Sequence, residues 1–385
     1  MKKLLSFLLS LCLGLFLVAG FVSIVDDFLV LLFGLRLLTT MSLILFGFAF
    51  LLVMLVYGLM GLTPMIPKRV FLPVALFYIA GLLTVFPAMI YCFDRIVQFD
   101  WVLSFGQVIL GLGLLWWLQG GLKFRWPIVE DKHLGDRGFS WLNLTVFLLV
   151  NVFVLLPAIV TYLAICATLA VNHFSGGFLA LRPAGLTVQV RKYVRDDGKT
   201  IQLIPMAHIG EADFYRKVAQ SFPSNSIILM EGTTDRQHLI TTGTSYKRMA
   251  KALHLEEQPD VFEPSRGEIV RADVDVEQFS TNTIDFINLV MLIHSKGMTP
   301  ETVQKALQYS PPPDFPKQLF GDLLSKRNRH LWEEIQARLP ESDNIIVPWG
   351  VAHMPEIAAE IQKSGFRLDE SREYEVIRFH VFRKQ

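Results

Sequence analysis

The sequence predicts a membrane protein in two parts. Residues 1–175 are expected to form an all-α bundle of about five transmembrane helices, and residues 181–385 an α/β domain with a mixed sheet. The chain of 385 residues is 52% hydrophobic, with a mean hydropathy of +0.41. Its first 180 residues hold only 10 of the 36 Lys and Arg residues and 7 of the 35 Asp and Glu residues. Beyond them the composition is that of a globular domain, and short apolar runs alternate with helical patterns.

The composition of the C-terminal part also excludes one class of partner. It carries 26 basic and 28 acidic residues, so it has no excess of positive charge with which to bind nucleic acid. All three cysteines of the chain lie in apolar segments. The α/β domain is therefore expected to form no disulfide of its own, which suits either side of a membrane.

Five segments are long and apolar enough to cross a hydrocarbon core of ~30 Å, which takes ~20 residues per helix. The segment 28–37 is apolar too, but charged residues bracket it, so it is expected at the membrane interface or as an extension of the second span. Asn143 and Asn151 in the last span are interpreted as contacts between helices, and the bundle mainly as an anchor. The predicted spans are residues 4–24, 38–62, 70–93, 101–122 and 141–171.

The distribution of Lys and Arg between the connecting segments predicts the orientation of the bundle. The N-terminus and the second and fourth connections hold eight of these residues, against two in the first and third connections. By the positive-inside rule the N-terminus is cytoplasmic. Five crossings then place the C-terminal domain in the periplasm or the extracellular space, anchored to the lipid bilayer.

The C-terminal domain opens with a hairpin around Asp196, Asp197 and Gly198 and is expected to close with a second hairpin over residues 366–382. Residues 256–270 contain Pro and Gly and are expected to form a loop over a site. Gly297 is expected to cap a helix, and the prolines at 311–313 to separate two helices. Between the hairpins we expect strands at 226–232 and 344–350, and helices at 211–222, 244–255, 284–297, 317–339 and 355–365.

Three apolar runs of this domain end in residues that suit a metal site. The first ends at His208, with Glu211 three residues later, the second at Glu231, and the third at Gly350 and His353. A glycine at a strand end lets the backbone approach another group closely. If these strands are parallel neighbours, their carboxyl ends meet at one edge of the sheet. Two imidazoles and a carboxylate there would form a His/Glu metal set of the kind that hydrolases use.

The segment Arg271–Asp275 supplies further carboxylates, because Asp273 and Asp275 would point to the same side of an extended chain. Asp235, shortly after Glu231, is another candidate. The remaining histidines of the domain have no partner at a ligand-like spacing and are not expected to bind a metal. Ser/His/Asp catalysis is the competing interpretation, with Ser245 or Ser265 as nucleophile, but neither serine lies in a G-x-S-x-G turn.

In order and spacing these elements resemble the TraB/PrgY, GumN and TIKI family, which is distantly similar to the erythromycin esterases. The resemblance covers roughly residues 200–380 and not the membrane part. The family pattern has a Gly-x-x-His strand end, a Glu, an Asp-x-Asp-like segment, an Arg-Asn pair and a second Gly-x-x-His. The matching residues are Pro205 to His208, Glu231, Asp273 to Asp275, Arg327 with Asn328, and Gly350 to His353. Pro205 replaces the first glycine, and Pro355 and Glu356 follow the second histidine where relatives often have a glycine.

The resemblance implies a TIKI-like α/β fold and a metal-dependent peptidase at the cell surface. His208, His353 and Glu231 would hold the metal, which mixed nitrogen and oxygen ligands leave open as Mn, Co or Zn. Glu211, Asp273 or Asp275 would serve as base or second ligand. Arg327, with Asn328 beside it, would stabilise the developing oxyanion. The alternative from another class is a receptor that binds an extracellular peptide without cleaving it, which Pro205 favours.

Overall fold

The computed structural model describes residues 2–121, 124–241, 246–312 and 314–379. The chain divides into two compact units, Met1–Cys166 and Ala167–Gln385. The first unit is helical, and the second is an α/β unit with a mixed β-sheet, as the sequence predicts.

The N-terminal region contains five helices that are long and apolar enough to cross a membrane, which confirms the predicted spans. The fourth begins with a 3₁₀ turn and ends where Gly120 adopts a left-handed conformation (φ +67°). The fifth has a π-helical turn, Asn151–Leu155, near its middle. The helices are α1 (Lys2–Phe33), α2 (Thr39–Leu62), α3 (Lys68–Tyr91), α4 (Ile96–Gln119), α5 (Trp141–Val150) and α6 (Leu156–Phe174).

The apolar segment 28–37 is divided differently from the prediction. Its first part, up to Phe33, continues α1, and the predicted extension of the second span is wrong. The helix stops at Gly34, whose φ of +67° is a conformation that glycine adopts without strain. Asp26 is tolerated inside α1 because the Thr39 hydroxyl donates a hydrogen bond to its carboxylate at 3.1 Å.

The two asparagines of the last span connect helices, as predicted. The Asn143 side-chain amide donates to the carbonyl oxygens of Met60 and Gly61 at 2.8 and 2.7 Å. The Tyr57 hydroxyl donates to Asn151 Oδ1 at 2.9 Å. Hydrogen bonds of this kind hold helices together where the hydrophobic effect gives no driving force.

The α/β unit is built on a seven-stranded sheet in the order β1-β2-β3-β8-β5-β7, with β9 paired to β2. The strands β3, β8, β5 and β7 are parallel, and β1, β2 and β9 pair antiparallel. The prediction of a mixed sheet is therefore confirmed. A separate short pair is formed by β4 and β6. The strands are β1 (Leu179–Arg182), β2 (Gly185–Val194), β3 (Thr200–Met206), β4 (Ile209–Gly210), β5 (Ser226–Met230), β6 (Glu256–Glu257), β7 (Glu268–Arg271), β8 (Asn344–Gly350) and β9 (Arg367–Arg378).

Helices cover both faces of this sheet. On one face α13 and α14 pack on Ile201, Val347 and Leu229, and on the other face α7 packs on Ile204 and Met206. Burial on both faces explains why the central strands are continuous apolar runs. The helices are α7 (Ala212–Gln220), α8 (Lys247–Leu253), α9 (Gln258–Val261), α10 (Thr281–Lys296), α11 (Pro300–Gln308), α12 (Phe315–Phe320), α13 (Arg327–Arg338) and α14 (Met354–Lys363).

The first predicted hairpin is confirmed, with Gly198 (φ +84°) in the turn between β2 and β3. The second is wrong, because residues 367–378 form the single strand β9 along β2. No Gly or Pro interrupts β9, so the segment lacks the two residue types that most strongly break a strand. The predicted loop over residues 256–270 is also wrong in part, since it contains β6, α9 and the start of β7.

The predicted helix at 317–339 forms in three pieces. A π-helical turn, Gly321–Lys326, joins α12 to α13. Such turns shift the register of a helix and are frequent at functional sites. Arg327 and Asn328 are the first two residues after this turn. Gly297 caps α10 with φ +76°, as predicted. Of the predicted helix at 244–255, α8 is confirmed, while residues 244 and 245 lie outside the described residues.

Candidate functional site

Three predicted strand ends do meet at one edge of the sheet. In the parallel pairing of β3 with β8, Met206 is the partner of Gly350, two residues before His208 and three before His353. The strand β5, which precedes Glu231, lies on the other side of β8. His208, His353 and Glu231 thus each follow the end of one of three neighbouring strands.

The glycine at the end of β8, Gly350, lies directly against Glu231. Its N–H donates to Glu231 Oε2 at 2.6 Å. A Cβ atom on Gly350 would lie 3.3 Å from the same oxygen. The predicted close approach of the backbone to another group is confirmed, and that group is the Glu231 carboxylate.

Arg327 lies at the centre of the site. Its Nε donates to Asp273 Oδ1 at 2.9 Å, and its Nη2 donates to Asp273 Oδ2 at 2.6 Å and to Glu231 Oε1 at 2.7 Å. Its Nη1 lies 3.2 Å from Nε2 of His353. One guanidinium thus joins three other predicted site residues, which come from the ends of β5, β7 and β8.

These charged groups are withdrawn from water. The side chain of Asp273 is fully buried, and those of Arg327 and Glu231 are 13% and 15% exposed. Burial alone would lower the pKa of Arg327, but the hydrogen bonds and charges of Asp273 and Glu231 outweigh it and raise that pKa. The guanidinium therefore stays charged, and its ion pairs offset the cost of burying the two carboxylates.

Backbone amides complete the environment of Asp273. The N–H of Gly232 donates to Oδ2 at 3.0 Å and the N–H of Val274 to Oδ1 at 2.9 Å. With both oxygens bonded to donors, Asp273 holds Arg327 in one orientation.

His353 is buried, with 4% of its side chain exposed. Burial, followed by the positive charge of Arg327, lowers its pKa to about 4. It is therefore a neutral imidazole near pH 7, and its 3.7 Å approach to Glu231 is not an ion pair. Trp349 stands edge-on to the ring at 5.1 Å and lies beneath the guanidinium of Arg327, 5.3 Å from the ring centre.

Asn328 bonds the other side of the imidazole. Its Oδ1 lies 2.6 Å from Nδ1 of His353, and its Nδ2 donates to Oε2 of Glu356 in a short hydrogen bond. Asn328 is buried and Glu356 is at the surface. The structure thus brings Glu231, Asp273, Arg327, Asn328 and His353 into one hydrogen-bonded cluster.

Three other predicted site residues lie outside this cluster. The His208 ring is exposed and stacks on Tyr246, with centroids 5.0 Å apart and planes at 6°. Glu211 precedes α7 at its N-cap, and its Oε1 is buried without a hydrogen-bond partner among the described residues. Asp275 precedes a short 3₁₀ turn, and its backbone carbonyl accepts from Gln278.

The remaining candidates are Asp235 and the two serines. Both carboxylate oxygens of Asp235 accept backbone N–H groups, from Leu239 and Ile240 at 2.8 Å each. These bonds lower the pKa of Asp235 and close the loop after β5. Ser265 is exposed in the loop before β7, and Ser245 lies outside the described residues.

The residues of the site do not suit the metal ion that the sequence predicts. Among the residues that the structure describes, no three or more His, Cys, Asp or Glu side chains are placed to hold a metal ion. Between Glu231 and His353 lies a guanidinium, whose positive charge would repel a metal cation. This arrangement does not fit a bound Mn, Co or Zn ion. No step proposed below therefore involves a metal ion.

The sequence alone does not indicate Glu356 and Trp349 as members of the site. Glu356 lies in the first turn of α14, where an acid is favoured by the helix dipole, so its type alone indicates nothing further. Its spacing of one helical turn from His353 was the available signal. Trp349 belongs to an apolar strand and its indole N–H donates to Leu229, as in an ordinary core residue.

No protein family, curated protein or solved structure matches this chain. The resemblance to the TraB/PrgY, GumN and TIKI family rests on the motifs quoted above.

Proposed function

We propose that the protein is a membrane-anchored hydrolase whose active site is the cluster around Arg327. One observation carries the proposal: a buried guanidinium bonds two carboxylates and an imidazole from three separate strand ends. Buried charges are costly, and a cluster of them at the carboxyl edge of a parallel sheet is typical of a catalytic site.

In this proposal Arg327 binds the oxyanion of the reaction. A guanidinium has five N–H groups. Four of them are accounted for by the bonds to Asp273, Glu231 and His353. The fifth, on Nη1, has no partner among the described residues. It is available for the oxygen of a substrate carbonyl, where the charge develops as water adds.

Glu231 is the proposed general base. It is the more exposed of the two carboxylates bonded to Arg327, since Asp273 is fully buried. It would remove a proton from a water molecule as the bond from that oxygen to the carbonyl carbon forms. It would then return the proton to the leaving nitrogen as the carbon–nitrogen bond breaks.

Asp273 and His353 hold Arg327 in place. Asp273 binds the side of the guanidinium that carries Nε and Nη2, and His353 faces Nη1. Because the pKa of His353 is lowered to about 4, its ring adds no second positive charge beside Arg327 near pH 7. A fixed guanidinium needs little reorganisation when the oxyanion forms.

The substrate class follows from the resemblance and from the predicted orientation. The TIKI-like motifs suggest a peptide or protein substrate. The Lys and Arg bias of the connections suggests that the N-terminus is cytoplasmic and that the α/β unit faces the periplasm or the extracellular space. We therefore propose cleavage of peptides outside the cytoplasm, by an enzyme that the apolar helices retain at the bilayer.

Peptide cleavage by the purified full-length protein tests this proposal. The protein in detergent is incubated with a mixture of peptides, and the products are identified by mass spectrometry. We expect new peptide termini that are absent when Glu231→Gln replaces the wild type. Incubations with a chelator and with added Mn²⁺ show whether a metal contributes. Uncleaved peptides under all these conditions would refute the hydrolase.

A second candidate function is peptide binding without cleavage. The observation that favours it is the position of His208, which stacks on Tyr246 and is not bonded to the cluster in the described contacts. In this case labelled peptides bind the wild type tightly and remain intact, and binding survives His353→Ala. Binding that is lost in His353→Ala, or cleavage of the bound peptide, would contradict it.

A further inference from the structure

We propose that Glu356 is a positioning residue that fixes the tautomer of His353 through Asn328. This inference rests on the proposed function, because it concerns the same site. Glu356 touches neither Arg327 nor His353 in the described contacts. It acts on them through the side-chain amide of Asn328, which lies between its carboxylate and the imidazole.

Glu356 sets the orientation of Asn328. Its amide has one end that donates hydrogen bonds and one that accepts them, and the two are hard to tell apart by shape. An ionised carboxylate can only accept, so Glu356 requires the NH₂ end of Asn328. The carbonyl oxygen Oδ1 is then turned toward Nδ1 of His353, 2.6 Å away.

The orientation of Asn328 in turn determines which ring nitrogen of His353 carries the hydrogen. A carbonyl oxygen can only accept, so at this distance Nδ1 must carry the hydrogen. A neutral imidazole has one N–H, which leaves a lone pair on Nε2. Arg327 leads to the same assignment from the other side, because its Nη1 can only donate to Nε2 at 3.2 Å. Asn328 and Arg327 thus favour the same tautomer from opposite sides of the ring.

Removing Glu356 leaves Arg327 alone to hold the tautomer. Without the carboxylate, Asn328 can take either orientation, and with its NH₂ end toward Nδ1 it favours the tautomer with hydrogen on Nε2. In that form the hydrogen would face the N–H groups of Arg327, and the bond between His353 and Arg327 would be lost. The exposed Glu356 therefore contributes to a contact inside the buried cluster.

The alternative is a purely structural role, since an acid in the first turn stabilises α14 through the helix dipole. Two variants separate the roles. Glu356→Gln loses the negative charge and keeps an oxygen that can accept from Asn328, although its amide can also donate. Glu356→Leu loses both the charge and the acceptor. The dipole does not act on the tautomer, so the structural role predicts the wild-type tautomer in both variants, whereas the positioning role predicts more of the Nε2–H form in Glu356→Leu than in Glu356→Gln.

The test is nitrogen NMR of the full-length protein in detergent micelles, labelled with ¹⁵N in its histidine rings. The chain has 9 histidines, and the His353 signals are those lost in His353→Gln. We expect a protonated Nδ1 and an unprotonated Nε2 in the wild type, and mainly this form in Glu356→Gln. In Glu356→Leu we expect a shift toward the Nε2–H form.

Two results would overturn the proposal. One is a wild-type His353 protonated on Nε2, which needs no variant to observe. The other is a Glu356→Leu spectrum identical to that of the wild type. If Glu356→Leu does not fold, Glu356→Ser replaces it and is subject to the same criterion. The measurement uses no substrate, so its failure is distinguishable from a failure of the proposed hydrolase.

Discussion

The carboxylate of Asp273 and the guanidinium of Arg327 meet side by side, with Nε and Nη2 donating to the two carboxylate oxygens at 2.9 and 2.6 Å. This geometry is the strongest that an Arg–carboxylate pair adopts. Both side chains are withdrawn from water, since Asp273 is fully buried and Arg327 is 13% exposed. The pair is therefore expected to support both the stability and the function of the α/β unit.

Replacing Arg327 by methionine is expected to destabilise the protein strongly. The variant leaves Asp273 and Glu231 buried without their cation, which costs about 3–5 kcal/mol in comparable pairs. Thermal melting of the detergent-solubilised protein measures the loss. Arg329→Met, two residues along α13 at an exposed position, is the matched control and is expected to melt like the wild type. Equal melting temperatures for the two variants would contradict the role of Arg327.

Gly350→Ala is expected to reduce activity more than stability. The added Cβ would lie 3.3 Å from Glu231 Oε2, so the carboxylate must move by a few tenths of an ångström. Because a misplacement of ~1 Å can cost about a hundredfold in rate, this smaller one is expected to reduce turnover by roughly tenfold. Gly321→Ala is the control, because no atom lies within 4 Å of its Cβ position. Full activity in Gly350→Ala would argue against Glu231 as the base.

The stability of the protein is expected to depend on pH through His353. Its pKa is about 4 in the folded protein and near 6.5 when unfolded, so the unfolded chain binds the proton more tightly. The free energy of unfolding therefore rises with pH across this interval, by on the order of 3 kcal/mol. The contribution is complete above pH 6.5 and is lost as the pH falls toward 4. Melting temperatures across this range, compared with those of His353→Gln, measure it. A variant with the wild-type pH dependence would contradict the assignment.

The orientation of the chain predicts where a cysteine can be labelled. In a Cys92→Ser background, Asp369→Cys places a thiol at an exposed position of β9. We expect an impermeant maleimide to label it in intact cells, or in spheroplasts if there is an outer membrane. Arg137→Cys, in the fourth connection, is expected to react only after lysis. The reverse pattern would place the α/β unit in the cytoplasm.

The parts of the site that the sequence predicts are those encoded by local pattern. An apolar run such as Asn344–Gly350 reveals a buried strand, and its final glycine reveals a close approach of the backbone. Parallel pairing then brings Glu231 and His353 to one edge without further information. The five apolar helices follow from the length of their hydrophobic segments in the same way.

The parts that the sequence does not predict depend on contacts between distant side chains. Arg327, at the centre of the site, directly follows a π-helical turn that no local pattern predicts. The sequence places His208 beside the site, yet its ring stacks on Tyr246. Residues 367–378 alternate like two short strands, but they form one strand that pairs along the whole of β2, with two register shifts. None of these outcomes is contained in the local pattern.

The rate of peptide hydrolysis by matched variants tests the central claim most directly. Wild type, Glu231→Gln and Glu263→Gln are compared at equal concentration on the same peptide, with melting curves to verify that each variant is folded. Glu263 is exposed in the loop before β7 and serves as the control. We expect Glu263→Gln to retain the wild-type rate and Glu231→Gln to lose about a hundredfold or more. A folded Glu231→Gln variant that cleaves the peptide as fast as the wild type would contradict the assignment of the active site.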